Sequence, residues 1–195
     1  MTAPYDLIAV RWAQDRADGS FRERLYLDRF AALAAPGAHL LDLGFGSGKP
    51  IARYLLDRGF QITGVDASRE MLRLGAINCP EAELVSQDIL EFQPGQRFGG
   101  MIAWDSLFHI SKHRHAALFR SMLQWLEPGC PLLLSLGGSD DEFTDSMYGA
   151  EFFYSGYAPA TNIALLREAG FDIVVADVDD SSSKGHMAII CRKPG

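Results

Sequence analysis

Short apolar runs alternate along the chain with segments whose apolar residues recur at helical spacing. Glycine or a Pro-Gly pair ends most of these segments. The predicted strands cover residues 39–43, 61–65, 82–86, 98–104 and 130–136, and the predicted helices between them cover residues 47–58, 68–78 and 113–126. An alternation of this kind predicts an α/β fold with a parallel, doubly wound sheet.

Both ends of the chain depart from this alternation. Residues 4–34 read as two helices broken at residues 18–20, and we expect residues 1–35 to form a helical cover. A further helix over residues 161–169 precedes two strands, at residues 173–178 and 187–191, which are predicted to form an antiparallel hairpin at the sheet edge.

A polar segment over residues 137–158 interrupts the core pattern. It is rich in glycine and acidic residues and ends in aromatic ones, which is typical of a variable lid. Its acidic side chains would attract a cationic or amine substrate. They are Asp140, Asp141, Glu142 and Asp145.

Composition and charge narrow the class of protein. A chain of 195 residues with 48% hydrophobic content predicts one globular domain over residues 1–195. Its net charge of −7 argues against a nucleic-acid partner, which requires a basic surface. The apolar runs are too short for a membrane span, and the three cysteines form no metal or disulfide pattern. We expect a cytoplasmic monomer or homodimer without membrane, nucleic-acid or metal partners.

The most informative motif follows the first strand. Residues 42–48 read Asp-Leu-Gly-Phe-Gly-Ser-Gly, so that an acid is followed by three glycines at alternate positions. The four motif positions are Asp42, Gly44, Gly46 and Gly48. A dinucleotide loop would need glycine where Lys49 stands. A phosphate-binding P-loop would need glycine at Leu43 and a hydroxyl at Pro50. The loop therefore approaches a ligand with bare backbone but lacks the usual features for phosphate.

Acidic residues also follow the second and third predicted strands. Asp66, followed by Ala67, stands 22 residues after Gly44, where an acid accepts hydrogen bonds from ribose hydroxyls. A nicotinamide enzyme would use the same position. The pair Asp88 and Ile89 follows the third strand. Ligands of such sheets bind beyond the carboxyl ends of the strands, so these residues are candidates for one site.

The acid-x-G-x-G-x-G loop and the order of these acids resemble the class I S-adenosylmethionine-dependent methyltransferases, in particular small single-domain members. The resemblance covers nearly the whole chain. It implies a Rossmann-like sheet of seven strands with an antiparallel last strand, and S-adenosylmethionine as the cofactor, released as S-adenosylhomocysteine. It also implies that the glycine loop packs on the methionine part of the cofactor, Asp66 on the ribose, and Asp88 and Ile89 on the adenine.

The resemblance places the residues after the fourth strand beside the sulfonium and its methyl group. There Trp104 offers an aromatic face to a cation. Asp105 and His109 are candidate bases, and their spacing of four puts them on one face if the segment is helical. Tyr5 and Trp12 in the N-terminal helix are expected to cover the cofactor.

The predicted function is methyl transfer to an oxygen, nitrogen or carbon atom of a small molecule, chiefly by alignment and with a base where a proton must leave. The Asn-Pro-Pro-Tyr and Pro-Cys sequences that mark nucleic-acid or glutamine methylation do not follow the fourth strand. Two alternatives stay open. One is a protein that binds S-adenosylmethionine without catalysis, as a sensor or partner subunit, and the other is a nicotinamide-dependent oxidoreductase.

Overall fold

The computed structural model describes residues 3–18, 21–180 and 185–195. Its strands are β1 His39–Leu43, β2 Gln61–Asp66, β3 Glu83–Ser86, β4 Met101–Ala103, β5 Pro131–Gly137, β6 Asp141–Met147, β7 Ala150–Gly156, β8 Asp172–Asp180 and β9 His186–Arg192. Seven of them form one sheet in the order β3-β2-β1-β4-β5-β9-β8. The first five are parallel, and β9 lies antiparallel between β5 and β8. This confirms the predicted fold and its antiparallel last strand.

Helices cover both faces of the sheet. They are α1 Pro4–Asp18, α2 Arg24–Leu33, α3 Ile51–Leu56, α4 Arg69–Asn78, α5 His115–Trp125 and α6 Pro159–Ala169. Because successive strand residues point to opposite faces, Leu40 and Leu41 belong to two separate buried clusters. Phe30 of α2 packs in the cluster that contains Leu40, and Phe119 of α5 packs in the cluster that contains Leu41. The doubly wound arrangement therefore follows from strands that are apolar on both sides.

Several predicted boundaries change in the structure. The helix expected over residues 47–58 covers only Ile51–Leu56, and it cannot begin earlier because Gly48 has a φ of 76°, which is not helical. The strand expected over residues 98–104 is reduced to Met101–Ala103. The predicted break at residues 18–20 and the connection over residues 179–185 lie partly outside the described residues.

The segment predicted as a lid, residues 137–158, forms a two-stranded antiparallel hairpin of β6 and β7. These two strands were not predicted from the sequence pattern. Tyr148 and Gly149 join them with φ of 52° and 83°, as in the tight turns typical of hairpins. Ile8 of α1 packs against Phe152 of β7 in a small buried cluster of its own. The hairpin and α1 thus form one wall beside the carboxyl ends of the parallel strands.

Within the described ranges, no helix is both long and apolar enough to cross a lipid bilayer.

Candidate active site

Two cavities adjoin at the carboxyl ends of the parallel strands. The strand-end cavity has a volume of about 320 Å³, and its lining includes Gly44, Gly46, Asp66, Ala67, Asp88, Ile89 and Trp104. The hairpin cavity has a volume of about 370 Å³, and its lining includes Phe108, Asp141, Phe143, Asp145, Tyr154 and His186. Both cavities share four lining residues, which we call the junction. They are Tyr5, Trp12, Asp105 and His109.

The first two glycines of the loop have positive φ, and the first also has no room for a side chain. A Cβ atom on Gly44 would lie 2.3 Å from the Cβ of Ser106, in the segment that follows β4. The N–H of Gly46 donates to Oδ2 of Asp66 at 2.8 Å, and a Cβ on Gly46 would lie 3.8 Å from the Trp12 ring. Bare backbone at this loop therefore faces the strand-end cavity between β4 and α1.

Gly48 has a different surrounding from the other two glycines. A Cβ there would lie 2.7 Å from Sγ of Cys79 and 3.0 Å from the Phe45 ring. Phe45 is buried because Gly64 and Gly75 leave room for its ring, and a Cβ on them would approach it to 2.2 Å and 2.7 Å. Gly48 thus packs against Cys79 and Phe45 and does not line the strand-end cavity.

Asp42 lies at the closed end of the loop, where it is 4% exposed. With Gly44, Gly46 and Gly48 it lines a small cavity of about 30 Å³, which Trp12 also borders. Burial raises the pKa of Asp42 to about 7, and the neighbouring charge of Asp66 contributes a smaller part of this rise. A cation brought into this space would stabilise the ionised carboxylate.

Asp66 ties the glycine loop to the end of β2. Its Oδ2 accepts the N–H of Gly46, and its Oδ1 accepts the N–H of Ser68, both at 2.8 Å. Burial raises the pKa of Asp66, although these two hydrogen bonds oppose the shift. Since a carboxylate oxygen has two lone pairs, each oxygen can still accept a hydrogen bond from a ligand.

Asp88 and Ile89 lie at the far rim of the strand-end cavity. Oδ1 of Asp88 accepts the N–H of Leu90 at 2.8 Å, which is the capping turn expected of an aspartate after a strand. Trp104 is buried on the opposite side, edge-on to His186 with ring centroids 5.3 Å apart. The structure therefore brings the predicted strand-end residues to one cavity.

The N-terminal helix is fastened over this cavity by Asp6. Its Oδ1 accepts the hydroxyl of Ser68 at 2.7 Å and the N–H of Glu70 at 3.1 Å, at the start of α4. Burial opposes the shift, but these bonds lower the pKa of Asp6. Tyr5 and Trp12, about two turns apart on α1, pack edge-on with ring centroids 5.9 Å apart.

His109 is neutral and has both ring nitrogens in hydrogen bonds. Its Nδ1 lies 2.9 Å from the carbonyl oxygen of Phe153, which can only accept, so Nδ1 carries the hydrogen. Nε2 therefore accepts the hydroxyl of Tyr5 at 3.0 Å. Burial lowers the pKa of His109 and raises that of Tyr5, which keeps the imidazole neutral and the phenol protonated.

Asp105 does not pair with His109 on a helical face as predicted. Asp105 has a left-handed backbone with φ of 51°, and only a single 3-10 turn follows, over Leu107–His109. Its N–H donates to Oγ of Ser135 at 2.8 Å. Its Oδ1 accepts the Ser135 hydroxyl at 3.2 Å and Nε2 of His186 at 3.1 Å.

His186 is not among the site residues predicted from the sequence. Its Nδ1 lies 2.5 Å from Oδ1 of Asp179, so the imidazole bridges Asp105 and Asp179. Burial opposes protonation, but the two carboxylates raise the pKa of His186 to about 9. The only sequence signal is a histidine at the start of the last strand, and β9 reaches the site because it is inserted beside β5.

Two of the four lid acids line the hairpin cavity, namely Asp141 and Asp145. The other two have different contacts. Asp140 pairs with Lys112 at 2.5 Å, and Glu142 accepts the hydroxyl of Ser155 at 2.7 Å. In the part of the chain that the structure describes, no group of three or more histidine, cysteine or acidic residues is placed to hold a metal ion.

Comparisons with known proteins agree on one family. Residues 40–129 match the family model of a methyltransferase domain. An O-methyltransferase of Penicillium expansum is 31% identical over 157 residues, which cover 75% of this chain and 55% of that protein. The chain spans 55% to 65% of the length of the first curated relatives that it matches.

Solved structures share the fold at low sequence identity. The CcbJ methyltransferase from Streptomyces caelestis superposes with a TM-score of 0.76 at 20% identity, covering 100% of this chain and 99% of that one. The 1,6-didemethyltoxoflavin-N1-methyltransferase of Burkholderia thailandensis, with bound 1,6-didemethyltoxoflavin and S-adenosylhomocysteine, gives 0.71 at 20% identity, covering 100% and 92%.

Proposed function

We propose that this chain is a class I S-adenosylmethionine-dependent methyltransferase and that it transfers a methyl group from S-adenosylmethionine to a small-molecule acceptor. The observation that carries the proposal is the pair of cavities that meet at the junction. One cavity collects the residues at consecutive strand ends, and the other offers space for a second molecule. A direct displacement needs both partners aligned at one point with water excluded.

The residues of the strand-end cavity suit S-adenosylmethionine, which when bound supplies an activated methyl group on a sulfonium. The lone pairs that Asp66 keeps would accept the two ribose hydroxyls. Asp88 would accept the adenine amino group, and Ile89 would pack on the ring. The bare backbone of Gly44 and Gly46 allows the close approach that this binding mode requires.

The closed end of the loop suits the amino-acid part of the cofactor. Asp42 would face an ammonium group there, which would offset the cost of keeping its carboxylate ionised in a buried position. The Trp104 ring lines the wall near the junction and would present its face to the sulfonium charge. We further propose that residues 1–35 cover the cofactor and that residues 137–158 close the acceptor side as a lid.

The proton that leaves a hydroxyl or amine acceptor is assigned to His109 by way of Tyr5. Because Nε2 of His109 already accepts the Tyr5 hydroxyl, an acceptor cannot reach it directly. The Tyr5 oxygen instead accepts the acceptor's hydrogen while its own proton moves to Nε2. The imidazolium that forms keeps its Nδ1 hydrogen on the Phe153 carbonyl. The acceptor thus loses a proton as it gains the methyl group.

Calorimetric titration with S-adenosylhomocysteine and with NAD tests the proposal. We expect the first to bind at one site per chain and the second not to bind, because the loop lacks the third glycine of a dinucleotide site. Binding of NAD alone would overturn the proposal in favour of an oxidoreductase. A screen with labelled S-adenosylmethionine and metabolite extract then separates an enzyme, which labels a component, from a protein that only binds the cofactor.

A further inference from the structure

We infer that His186 is a positioning residue of the acceptor site: it fixes the carboxylate of Asp105 so that the free oxygen binds the nitrogen of an amine acceptor at the junction. The inference rests on the proposed function and adds to it the class of acceptor. It also assigns a role to a residue that lies 81 positions from its partner along the chain.

The geometry around Asp105 leaves one carboxylate oxygen available. Oδ1 is taken by Ser135 and His186, at 3.2 Å and 3.1 Å. Among the residues that the structure describes, Oδ2 has no hydrogen-bond partner, and the side chain is 38% exposed at the junction. The left-handed backbone of Asp105 is held by the bond from its N–H to Ser135. The residue is therefore fixed from both its backbone and its side chain.

His186 is held equally firmly. Asp179 of β8 binds Nδ1, and the Trp104 ring packs edge-on against the imidazole. With both nitrogens bonded to carboxylates, His186 has no nitrogen left for an acceptor, so its effect on a ligand passes through Asp105. This is what separates a positioning role from a catalytic one.

The remaining charges of the hairpin cavity favour a cation. Asp141 of β6 lines it, and the guanidinium of Arg16 from α1 is paired with Glu23. The imidazolium of His186 is offset by its two carboxylate partners. An amine is protonated in neutral solution, so it would enter this cavity with a favourable charge.

The junction presents two hydrogen-bond acceptors to the reacting atom, Oδ2 of Asp105 and the oxygen of Tyr5. A protonated primary or secondary amine carries at least two hydrogens and can satisfy both. A hydroxyl carries one hydrogen, and a carbon nucleophile offers neither acceptor a strong donor. Once Tyr5 and His109 have removed one proton, the nitrogen gains the lone pair that attacks the methyl group, and the second N–H stays on Asp105 and holds the nitrogen at the junction.

Sinefungin tests this binding without knowledge of the acceptor. In this analogue a carbon that bears an amino group replaces the sulfonium, so a protonated amine projects towards the junction. S-adenosylhomocysteine has the same remaining parts but no such group. We expect the wild-type protein to bind sinefungin about tenfold or more tightly than S-adenosylhomocysteine, as for a hydrogen bond between charged groups. In the variant Asp105→Asn the two ligands should bind about equally, since the neutral amide cannot bind the cation in the same way.

Two substitutions of His186 isolate the positioning role. In His186→Gln the side-chain amide reaches about as far as Nε2 and keeps a donor on Asp105, so the ratio of the two dissociation constants should stay at or above the wild-type value. In His186→Asn the shorter amide replaces Nδ1 and reaches only Asp179, so the ratio should fall towards that of Asp105→Asn. The exposed His113→Gln is the matched control and should leave the ratio unchanged.

The ratio responds to the junction and not to stability, because a general loosening would weaken both ligands together. Equal ratios in the two His186 variants, or a wild-type ratio near one, would overturn the inference while S-adenosylhomocysteine binding upheld the proposed function. Failure of the wild-type protein to bind either ligand would overturn the proposed function, and the inference with it.

Discussion

Replacing Asp42 with asparagine should stabilise the folded protein at and above neutral pH, although it removes a proposed contact with the cofactor. Asp42 is 4% exposed, and burial raises its pKa from 3.8 to about 7. A carboxyl whose pKa rises on folding binds its proton more tightly in the native state. It therefore favours folding below its unfolded pKa, and that contribution is lost as the pH rises through about 7.

The magnitude follows from the size of this change in pKa. Each pKa unit corresponds to about 1.36 kcal/mol, so the rise from 3.8 to about 7 amounts to about 4 kcal/mol. Asparagine has nearly the same shape and cannot ionise. The free energy of unfolding of Asp42→Asn, relative to wild type, should therefore increase by up to about 4 kcal/mol between about pH 4 and pH 8.

The assay is urea unfolding of both proteins without cofactor at several pH values in this range. Titrations of the other groups occur in both proteins, so the difference between them isolates Asp42. Asp172→Asn, at an exposed carboxylate, is the control and should show no such trend. A difference between wild type and Asp42→Asn that is the same at every pH would refute the reasoning. The same variant should bind S-adenosylhomocysteine more weakly.

Four further predictions follow from the site and its support. Asp66→Ala should weaken S-adenosylhomocysteine binding about tenfold or more by calorimetry, and an unchanged dissociation constant in a folded variant would refute its ribose contact. His109→Ala should lower labelled-methyl transfer but not cofactor affinity, and activity that is independent of pH would exclude it as the base. Gly64→Ala places a Cβ 2.2 Å from the Phe45 ring and should lower the free energy of unfolding in urea by about 1–3 kcal/mol. Adding Phe45→Leu should recover part of this loss, and free-energy changes of the two substitutions that simply add would contradict the packing argument. Burial opposes protonation of His186, but its carboxylate partners raise its pKa from 6.5 to about 9. The imidazolium should therefore stabilise the fold fully below pH 6.5, and this stabilisation should be lost as the pH rises through about 9. An NMR titration of His186 with a midpoint at or below 6.5 would contradict this prediction.

The residues of the strand-end cavity could be predicted to lie together because their signals are local. Each anchor stands at the end of a strand that the apolar pattern marks, and parallel strands bring their carboxyl ends to one edge. The loop glycines and Asp66 thus meet although 20 residues separate Gly46 from Asp66. Gly48 shows the limit of this reasoning. A motif position gives no sign that Cys79 and Phe45 pack against it.

The contacts at the junction were not predictable in the same way because they join distant segments. A spacing of four suggested that Asp105 and His109 share a helical face. Asp105 instead has a left-handed backbone, and His109 lies at the end of a short 3-10 turn. Their actual partners are His186 and Tyr5, which lie 81 and 104 positions away. Only the insertion of β9 beside β5 and the packing of α1 on the hairpin create these pairs.

The hairpin escaped prediction for a further reason. Most residues of β6 are exposed, so the strand lacks the apolar alternation by which half-buried strands are recognised. Only β7 carries a buried side, with Phe152 facing α1. Polar strands of this kind are held by their pairing and by a neighbouring element, and neither is visible in a local window of sequence.

The cover helix links the two halves of the site. Asp6 fastens α1 to Ser68 at the start of α4, directly after Asp66 and Ala67 of the strand-end cavity. Tyr5, its neighbour on the same turn, reaches His109 at the junction. The turn of helix that closes the strand-end cavity therefore also supplies the hydroxyl through which the acceptor would lose its proton. Loss of the hydrogen bond between Asp6 and Ser68 should then impair both cofactor affinity and proton removal. Changes in the hairpin, by contrast, can alter the hairpin cavity and leave the strand-end cavity intact.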